Sequence, residues 1–286
     1  MNELRLATRA SKLALVQARG VAQLLEQTHP GLRVRLIEVD TEGDQNRTSP
    51  VAALTEMGAF VRAVQLKVID GDADLAVHSL KDLPTLGPPA LTLAAFPVRE
   101  SPFDAIVGRD FAELKPGSVV GTGSPRRVAQ LRFLRSDLRT TELRGNVDTR
   151  LMKLERGDVD AAVLAEAGLR RLGHQDSIVR VLSPDEMVPA PGQGALAVET
   201  LAGGEAQRLV AAIDDPAIRR TVATERELLT QTGAGCRSAL GALATTTGDA
   251  IGLHAFVADE RGPRHAQVSG SDPVETAGLA RKELGL

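Results

Sequence analysis

The fold is decided by residues 4–39, LRLATRASKLALVQARGVAQLLEQTHPGLRVRLIEV, which hold a strand, a helix and a second strand in succession. Residues 4–7 predict a short strand. Apolar residues at helical spacing after Ser11 predict an amphipathic helix that Ser11 caps and that ends before Pro30. Residues 32–39 predict the next strand. This order is the βαβ alternation of an α/β protein.

The same alternation continues along the chain. Strands are predicted at 73–77, 105–107, 118–121, 139–143 and 160–164, with helices between most of them. The run PAPGQG at 189–194 predicts a hinge, and the strand after it, 195–199, is expected to return to the first sheet. From residue 216 the pattern changes to one helix, three antiparallel strands and a closing helix. We therefore predict two α/β units, with helices on both faces of each sheet, and a small α+β C-terminal domain.

Composition limits the function classes. The chain has 286 residues, a formal net charge of −3, 2% aromatic residues and no Trp or Tyr, so neither a basic nucleic-acid surface nor a base-stacking platform is predicted. No stretch approaches the roughly 20 apolar residues of a membrane span. One cysteine cannot form an internal disulfide, and the first residues lack the apolar core of a signal peptide, so the cytoplasm is the expected compartment.

The sequence GTGSPRR at 121–127 lies where a strand gives way to a helix, with Ser124 as the predicted N-cap and Pro125 in the first helical position. The free N–H groups of such a helix start attract an anion, and Arg126 and Arg127 stand beside it. The alternative is an ordinary capped surface helix with solvated arginines.

Further arginines follow other predicted strands, and their side chains are expected to converge on a ligand crevice. Arginine keeps its charge and binds carboxylates bidentately, so the set predicts a ligand with many carboxylates. For any one of them, a solvated position is the alternative. They are Arg9, Arg144, Arg150 and Arg171.

Two further motifs could carry chemistry. In HSLKDLP, residues 78–84, Lys81 and Asp82 could bind an anion and a ring N–H, or could form a local salt bridge. Cys236, the only thiol, lies in the Gly-rich turn GAGCRS, where it is either a reactive group or a small core residue. The chain contains no CxxC, HExxH or P-loop motif, so no metal site is predicted.

Taken in order, RLATRASKLALVQA, TEGD, DLAVHSLKDLP, GTGSPRR, LRGNVDTRLMKL, AGLRRLG, PAPGQGALAVE and the GAGC turn resemble the porphobilinogen deaminases, also called hydroxymethylbilane synthases. The resemblance implies two periplasmic-binding-protein-like α/β lobes and a small third domain. The implied bounds are 1–94 with 195–212, 98–189 and 217–286. It also implies a transferase that acts as a monomer on porphobilinogen and carries a dipyrromethane cofactor on Cys236.

The resemblance assigns roles to residues of this chain. Asp82 is the implied catalytic carboxylate. The implied cofactor-binding residues are Ser79, Lys81, Thr122, Ser124, Arg126, Arg127 and Arg150. The implied substrate-binding residues are Arg9, Ser11, Gln17, Arg144 and Arg171.

One stretch departs from the family pattern. Where many members have Gly-Gly-Lys-Gly in a mobile loop before the second helix, this chain has Thr55-Glu56-Met57-Gly58, with Phe60 retained. Met57 cannot bind a carboxylate, although the loop is still expected to act as a lid.

The competing hypothesis is a non-enzymatic two-lobed protein that binds an anionic solute. An unmodified Cys236 would favour this hypothesis.

Overall fold

The computed structural model describes residues 2–39, 52–234 and 238–286. The chain divides into two compact units. The first combines Met1–Arg99 with Ala195–Arg219, and the second combines Glu100–Gly194 with Arg220–Leu286.

The first unit is built on a five-stranded sheet. Its elements are β1 (Glu3–Arg9), α1 (Lys12–Thr28), β2 (Arg33–Val39), α2 (Ala52–Ile69), β3 (Leu75–Ser79), a 3-10 turn (Leu80–Asp82), β4 (Leu91–Ala95), β10 (Leu196–Leu201) and α6 (Glu205–Ala211). The strand order is β2-β1-β3-β10-β4, with β1 parallel to β2 and β3 and with β10 antiparallel to β3 and β4. The return of β10 to this sheet confirms the prediction from the sequence.

The second unit repeats this pattern in its own sheet. Its elements are β5 (Asp104–Gly108), β6 (Val119–Gly121), α3 (Pro125–Leu134), β7 (Arg139–Thr141), α4 (Val147–Glu155), β8 (Ala161–Ala165), α5 (Glu166–Arg171), a 3-10 turn (Gln175–Ser177) and β9 (Ile178–Val181). The order is β7-β6-β8-β5-β9, with β6 parallel to β7 and β8 and with β5 antiparallel to β8 and β9. Both sheets thus have three parallel strands followed by an antiparallel one.

A third, smaller sheet lies in the C-terminal part of the second unit. Its elements are α7 (Pro216–Thr232), β11 (Ala239–Thr247), β12 (Ala250–Asp259), β13 (Gly262–Gly270) and α8 (Pro273–Glu283). The strands pair antiparallel in the order β11-β12-β13. Leu228 of α7 and Ala277 of α8 pack with Leu253 of β12 in one buried apolar cluster. The predicted α/β class with a small α+β domain is confirmed.

Each of the larger sheets has an apolar core on both faces, as parallel strands require. In the first unit, one core includes Leu6 and Leu25 and the other includes Val64 of α2. In the second unit, Leu131 of α3 packs on one face and Leu169 of α5 belongs to the cluster on the other. The central strands β3, β5 and β8 read as nearly continuous apolar runs because both of their faces are covered.

One local prediction is wrong. Thr55–Gly58 lie within α2, because the run from Ala52 to Met57 is rich in good helix formers that outweigh one glycine. The predicted loop at 41–50 lies outside the described residues. In the segment 189–194, Pro191, Gly192 and Gln193 are buried, and the boundary between the compact units falls after its last residue. The hinge at this segment stays a prediction.

Candidate active site

Lys81 and Asp82 lie in the 3-10 turn at the carboxyl end of β3. Leu80 is 1% exposed and Leu83 is 4% exposed, so the residues on either side of the pair are anchored in the core. The Leu80 N–H donates to the Ala195 carbonyl at 3.0 Å, which ties the turn to the chain entering β10. The apolar anchors leave Lys81 and Asp82 partly exposed at the edge of the sheet.

Gln17 and Ser79 are hydrogen-bonded to each other. The Gln17 side-chain amide donates to Ser79 Oγ at 2.9 Å, and Ser79 Oγ lies 3.3 Å from Gln17 Oε1. Gln17 is buried on α1, and Ser79 is the last residue of β3. The structure therefore brings together two residues that lie 62 positions apart in the chain.

Arg9 and Ser11 lie where β1 passes into α1. The Arg9 guanidinium carbon is 4.0 Å from the centre of the Phe60 ring, a cation–π contact with α2. Ser11 is the N-cap of α1, and its hydroxyl accepts from the Ala14 N–H at 3.4 Å. The predicted cap is confirmed, and the sequence offered no signal for the contact between Arg9 and Phe60.

A buried polar cluster close to this turn was missed by the sequence analysis. His78 Nε2 lies 3.2 Å from Glu199 Oε2, and the Gln65 amide nitrogen is 3.0 Å from each Glu199 oxygen. All three residues are buried. The available signal was Glu199 itself, a charged residue inside the apolar strand β10.

In the second unit, the start of α3 has the predicted cap. Ser124 accepts from the Arg127 N–H at 3.5 Å, Pro125 occupies the first turn, and Thr122 Oγ1 accepts from the Ser124 N–H at 3.3 Å. Thr122 is buried and Ser124 is partly exposed. The helix start therefore has the geometry that favours an anion.

Arg126 and Arg127 are not solvated; both are buried against Asp104, the first residue of β5. Arg126 Nη1 lies 2.8 Å from Asp104 Oδ2, and Arg127 Nη2 lies 2.7 Å from Asp104 Oδ1. Arg126 also donates to the Val188 carbonyl at 2.6 Å, and Arg127 donates to the Val163 carbonyl at 2.9 Å. Neither the burial of these two arginines nor their partner Asp104 could be predicted from helix periodicity.

This buried cluster holds two positive charges and one negative charge. Burial alone would raise the pKa of the Asp104 carboxyl, but the charges of Arg126 and Arg127 outweigh it and hold this pKa well below its usual range. Burial lowers the pKa of the Arg126 guanidinium, and the Asp104 charge opposes that shift. The cluster therefore has one positive charge in excess, beside a helix start. The carboxylates of a dipyrromethane group would balance this charge, so the residues present fit such a cofactor.

Arg144 and Arg150 flank Asn146, the N-cap of α4. Gly145 between them has φ +113°, and an added Cβ would lie 2.7 Å from the Thr149 side chain, so only glycine fits this turn. Arg144 is exposed and pairs with Glu142 at 2.7 Å, whereas Arg150 is half-buried.

Arg171 ends helix α5 and does not directly follow a strand, which corrects the predicted placement. Five helical residues come between it and β8. Its Nη2 donates to the Gly194 carbonyl at 2.7 Å. Burial lowers the pKa of the Arg171 guanidinium, and the charge of Glu100 partly opposes this shift.

Cys236 lies outside the described residues, in sequence between the end of α7 at Thr232 and the start of β11 at Ala239. Within residues 2–39, 52–234 and 238–286, no group of three or more His, Cys, Asp or Glu side chains is arranged to hold a metal ion. In that same part of the chain, none of the helices combines the length and the apolar character that crossing a bilayer requires.

The fold and the described side chains define an α/β protein whose two larger sheets share the same strand pattern and whose candidate site arginines lie near the ends of strands and helices. The profile of the family described as "Porphobilinogen deaminase, dipyromethane cofactor binding domain" matches residues 4–208. The porphobilinogen deaminase of Roseiflexus castenholzii is 46% identical over 99% of this chain and 96% of that relative. The porphobilinogen deaminase of Mycobacterium leprae is 45% identical over 99% of this chain and 91% of that relative. This chain belongs to the porphobilinogen deaminase family.

A solved structure of the methionine-binding protein MetQ is 12% identical, covers 79% of this chain and 95% of that chain, and superposes with a TM-score of 0.47.

Proposed function

We propose that this protein condenses four porphobilinogen molecules head to tail, with loss of one ammonia at each step, on a dipyrromethane primer bound to Cys236. One water then hydrolyses the bond between the tetrapyrrole and the primer, which releases hydroxymethylbilane and leaves the primer on the protein. Membership of the porphobilinogen deaminase family over nearly the whole chain is the observation that carries this proposal. The same membership weighs against the alternative, a non-enzymatic solute-binding protein.

Asp82 is proposed as the catalytic carboxylate. As ammonia leaves the aminomethyl group of porphobilinogen, positive charge develops on the pyrrole nitrogen, and a fixed anion beside that N–H stabilises the charge. A carbon–carbon bond then forms to the free position of the preceding pyrrole, which loses a proton. The anchored turn supports this role, since Leu80 and Leu83 hold Asp82 at a defined place on the sheet edge.

The remaining residues are proposed to bind carboxylates and to orient rings. Lys81 and Ser79 in the first unit, and Thr122, Ser124, Arg126, Arg127 and Arg150 in the second, would hold the primer. Arg9, Ser11, Gln17, Arg144 and Arg171 would hold the substrate and the growing chain. When bound, the primer supplies the free pyrrole carbon to which the first substrate is joined. The net positive charge of the buried cluster around Asp104 supports this assignment.

We further propose three domains, at 1–94 with 195–212, 98–189 and 217–286, and a monomer that acts in the cytoplasm without nucleic acid or membrane. The division is supported by the three sheets, each of which falls within one of these ranges apart from Ala95 at the end of β4. The net charge of −3 and the scarcity of aromatic residues support the absence of nucleic acid.

An intact-mass measurement of denatured, reduced protein tests the proposed function. The wild type is expected to carry a dipyrromethane-sized addition that Cys236→Ala lacks, and the variant is expected to be inactive. Because the chain has no Trp and no Tyr, sizeable near-ultraviolet absorbance would come from the pyrroles. Active wild-type protein with an unmodified Cys236 would overturn the proposal.

A further inference from the structure

The segment PAPGQG, residues 189–194, has no role in the proposed chemistry, yet it is buried and tied into both halves of the second unit. Its Gly192 N–H donates to Glu225 Oε2 at 2.7 Å. The other oxygen of Glu225 accepts from the Ala244 N–H of β11 at 2.9 Å. Pro189 accepts from the Ala242 N–H, also at 2.9 Å. The segment is therefore joined to α7 and to β11 at the same time.

Gln193, the next residue, joins the segment to the arginine cluster. Its side-chain amide nitrogen donates to Asp104 Oδ1 at 2.9 Å and to the Pro102 carbonyl at 2.7 Å. Gln193 is fully buried, and Asp104 holds both Arg126 and Arg127. One continuous set of buried polar contacts thus runs from Glu225 through Gly192 and Gln193 to the arginines.

Glu225 is suited to join these elements because it is a buried carboxylate with two acceptor oxygens. The two oxygens meet N–H groups from different elements, Gly192 in the segment and Ala244 in β11. A glutamine at this position has only one acceptor oxygen, and its amide nitrogen would face an N–H donor. Replacing Glu225 by Gln therefore breaks at least one bond while it keeps the side-chain volume.

We propose that Glu225 and Gln193 are positioning residues for primer loading. The proposal rests on the proposed function, in which Cys236 acquires the primer. Glu225 joins α7 to β11, the two elements between which Cys236 lies in the sequence, and Gln193 fixes the same segment to Asp104. Together they fix α7 and β11, the elements on either side of Cys236 in the sequence, relative to Asp104 and its partners Arg126 and Arg127. A misplacement of about 1 Å can slow such a reaction by roughly 100-fold.

The test measures how fast primer-free protein acquires its primer. Wild type, Glu225→Gln and Gln193→Leu are purified without primer and incubated with porphobilinogen, and the fraction of modified Cys236 is followed by intact mass. We expect both variants to acquire the addition roughly 10-fold to 100-fold more slowly than the wild type. The temperature is kept below the unfolding transition of every variant.

Two controls separate positioning from loss of stability. Glu227 lies on the same helix and accepts from the Gln231 amide at 3.0 Å, outside the contacts that run from Glu225 to the arginines, so Glu227→Gln should load at the wild-type rate. Leu253→Ala removes packing in the third sheet's core; it should lower the melting temperature yet leave the loading rate of folded protein unchanged. Wild-type loading rates in both Glu225→Gln and Gln193→Leu, or equal slowing by Leu253→Ala, would overturn the inference. A wild type that never acquires the addition would instead overturn the proposed function.

Discussion

Asp82 shows how a polar residue is held at the edge of an apolar sheet. Its turn is short, and the buried Leu80 and Leu83 leave few alternative conformations for the two residues between them. A side chain positioned in this way loses little entropy when a ligand binds, which is the preorganisation that electrostatic catalysis requires.

Replacing Asp82 by Asn should lower turnover by about 100-fold to 1000-fold, because the shape is kept while the anion is removed. Circular dichroism and intact mass should show an unchanged fold and a retained primer. Asp70→Asn, an exposed carboxylate of the same unit, serves as the control and should turn over at the wild-type rate. Near-normal turnover of the Asp82 variant would refute the catalytic assignment.

Asp104 predicts a specific dependence of stability on pH. Its pKa in the folded protein is below that of the unfolded chain, which is about 4. Its charge therefore contributes fully to stability above about pH 4, and the contribution is lost as the pH falls from there towards the folded pKa. Removing this partner leaves two buried cations uncompensated, at a cost of about 3–5 kcal/mol.

Denaturant unfolding of the wild type and Asp104→Asn measures that contribution. We expect the difference in unfolding free energy to be largest near neutral pH and to shrink as the pH is lowered from about 4 to 2. The exposed Asp158→Asn should differ little from the wild type at any pH. A difference that stayed constant across this range would show that the Asp104 charge does not stabilise the fold.

At the scale of elements, the segment 189–194 depends on a glycine that no other residue can replace. Gly194 has φ +85°, and an added Cβ would lie 2.2 Å from the Glu100 carbonyl oxygen and 2.9 Å from that of Ser101. The close approach allows the Glu100 N–H to donate to the Gly194 carbonyl, the same carbonyl that Arg171 binds. Glycine is therefore required at this position for two reasons: the positive φ, and the close approach of the backbone at Glu100 and Ser101.

Gly194→Ala and Gly203→Ala separate these two requirements. Gly203 has a similar φ of +76°, but nothing lies within 4 Å of its added Cβ. Its replacement should cost only the backbone strain, about 1–2 kcal/mol. Gly194→Ala should lower the unfolding free energy by considerably more, because backbone atoms must move as well. Equal denaturant midpoints for the two variants would contradict the close approach.

At the scale of the whole molecule, the two larger sheets repeat one strand pattern, and each has antiparallel β10 or β5 beside its parallel strands. The buried cluster beneath α3 retains an excess positive charge, which is costly in an apolar interior until an anion compensates it. A covalently held group that carries carboxylates would supply that compensation.

Primer-loaded protein should therefore melt at a higher temperature than Cys236→Ala, which cannot bind the group. Differential scanning calorimetry of both forms in one buffer measures the difference. If the stabilisation comes from the arginine cluster, it should be smaller in Arg127→Leu protein that has been loaded with primer. Equal melting temperatures for Cys236→Ala and the primer-loaded wild type would contradict this expectation.

The local elements were determined largely by the sequence. Ser11 and Ser124 cap the helices that their positions predicted, and the predicted strands of the two larger sheets lie close to the observed ones, because periodicity and capping are short-range effects. The strands β4 and β9 of the same sheets were not predicted. Family membership was likewise evident from the order of the motifs. The roles of individual site residues stay predictions.

Contacts between distant residues were decided only by the tertiary structure. Asp104 pairs with Arg126 and Arg127, which come 22 and 23 residues later in the chain. Glu225 accepts from Gly192 and Ala244, which belong to different elements. The burial of the segment 189–194 was likewise not predicted from the sequence. A buried charge must find its counter-charge wherever packing places one, and sequence spacing does not encode that choice. For the same reason Glu199, His78 and Gln65 became a cluster only when β10 returned to the first sheet.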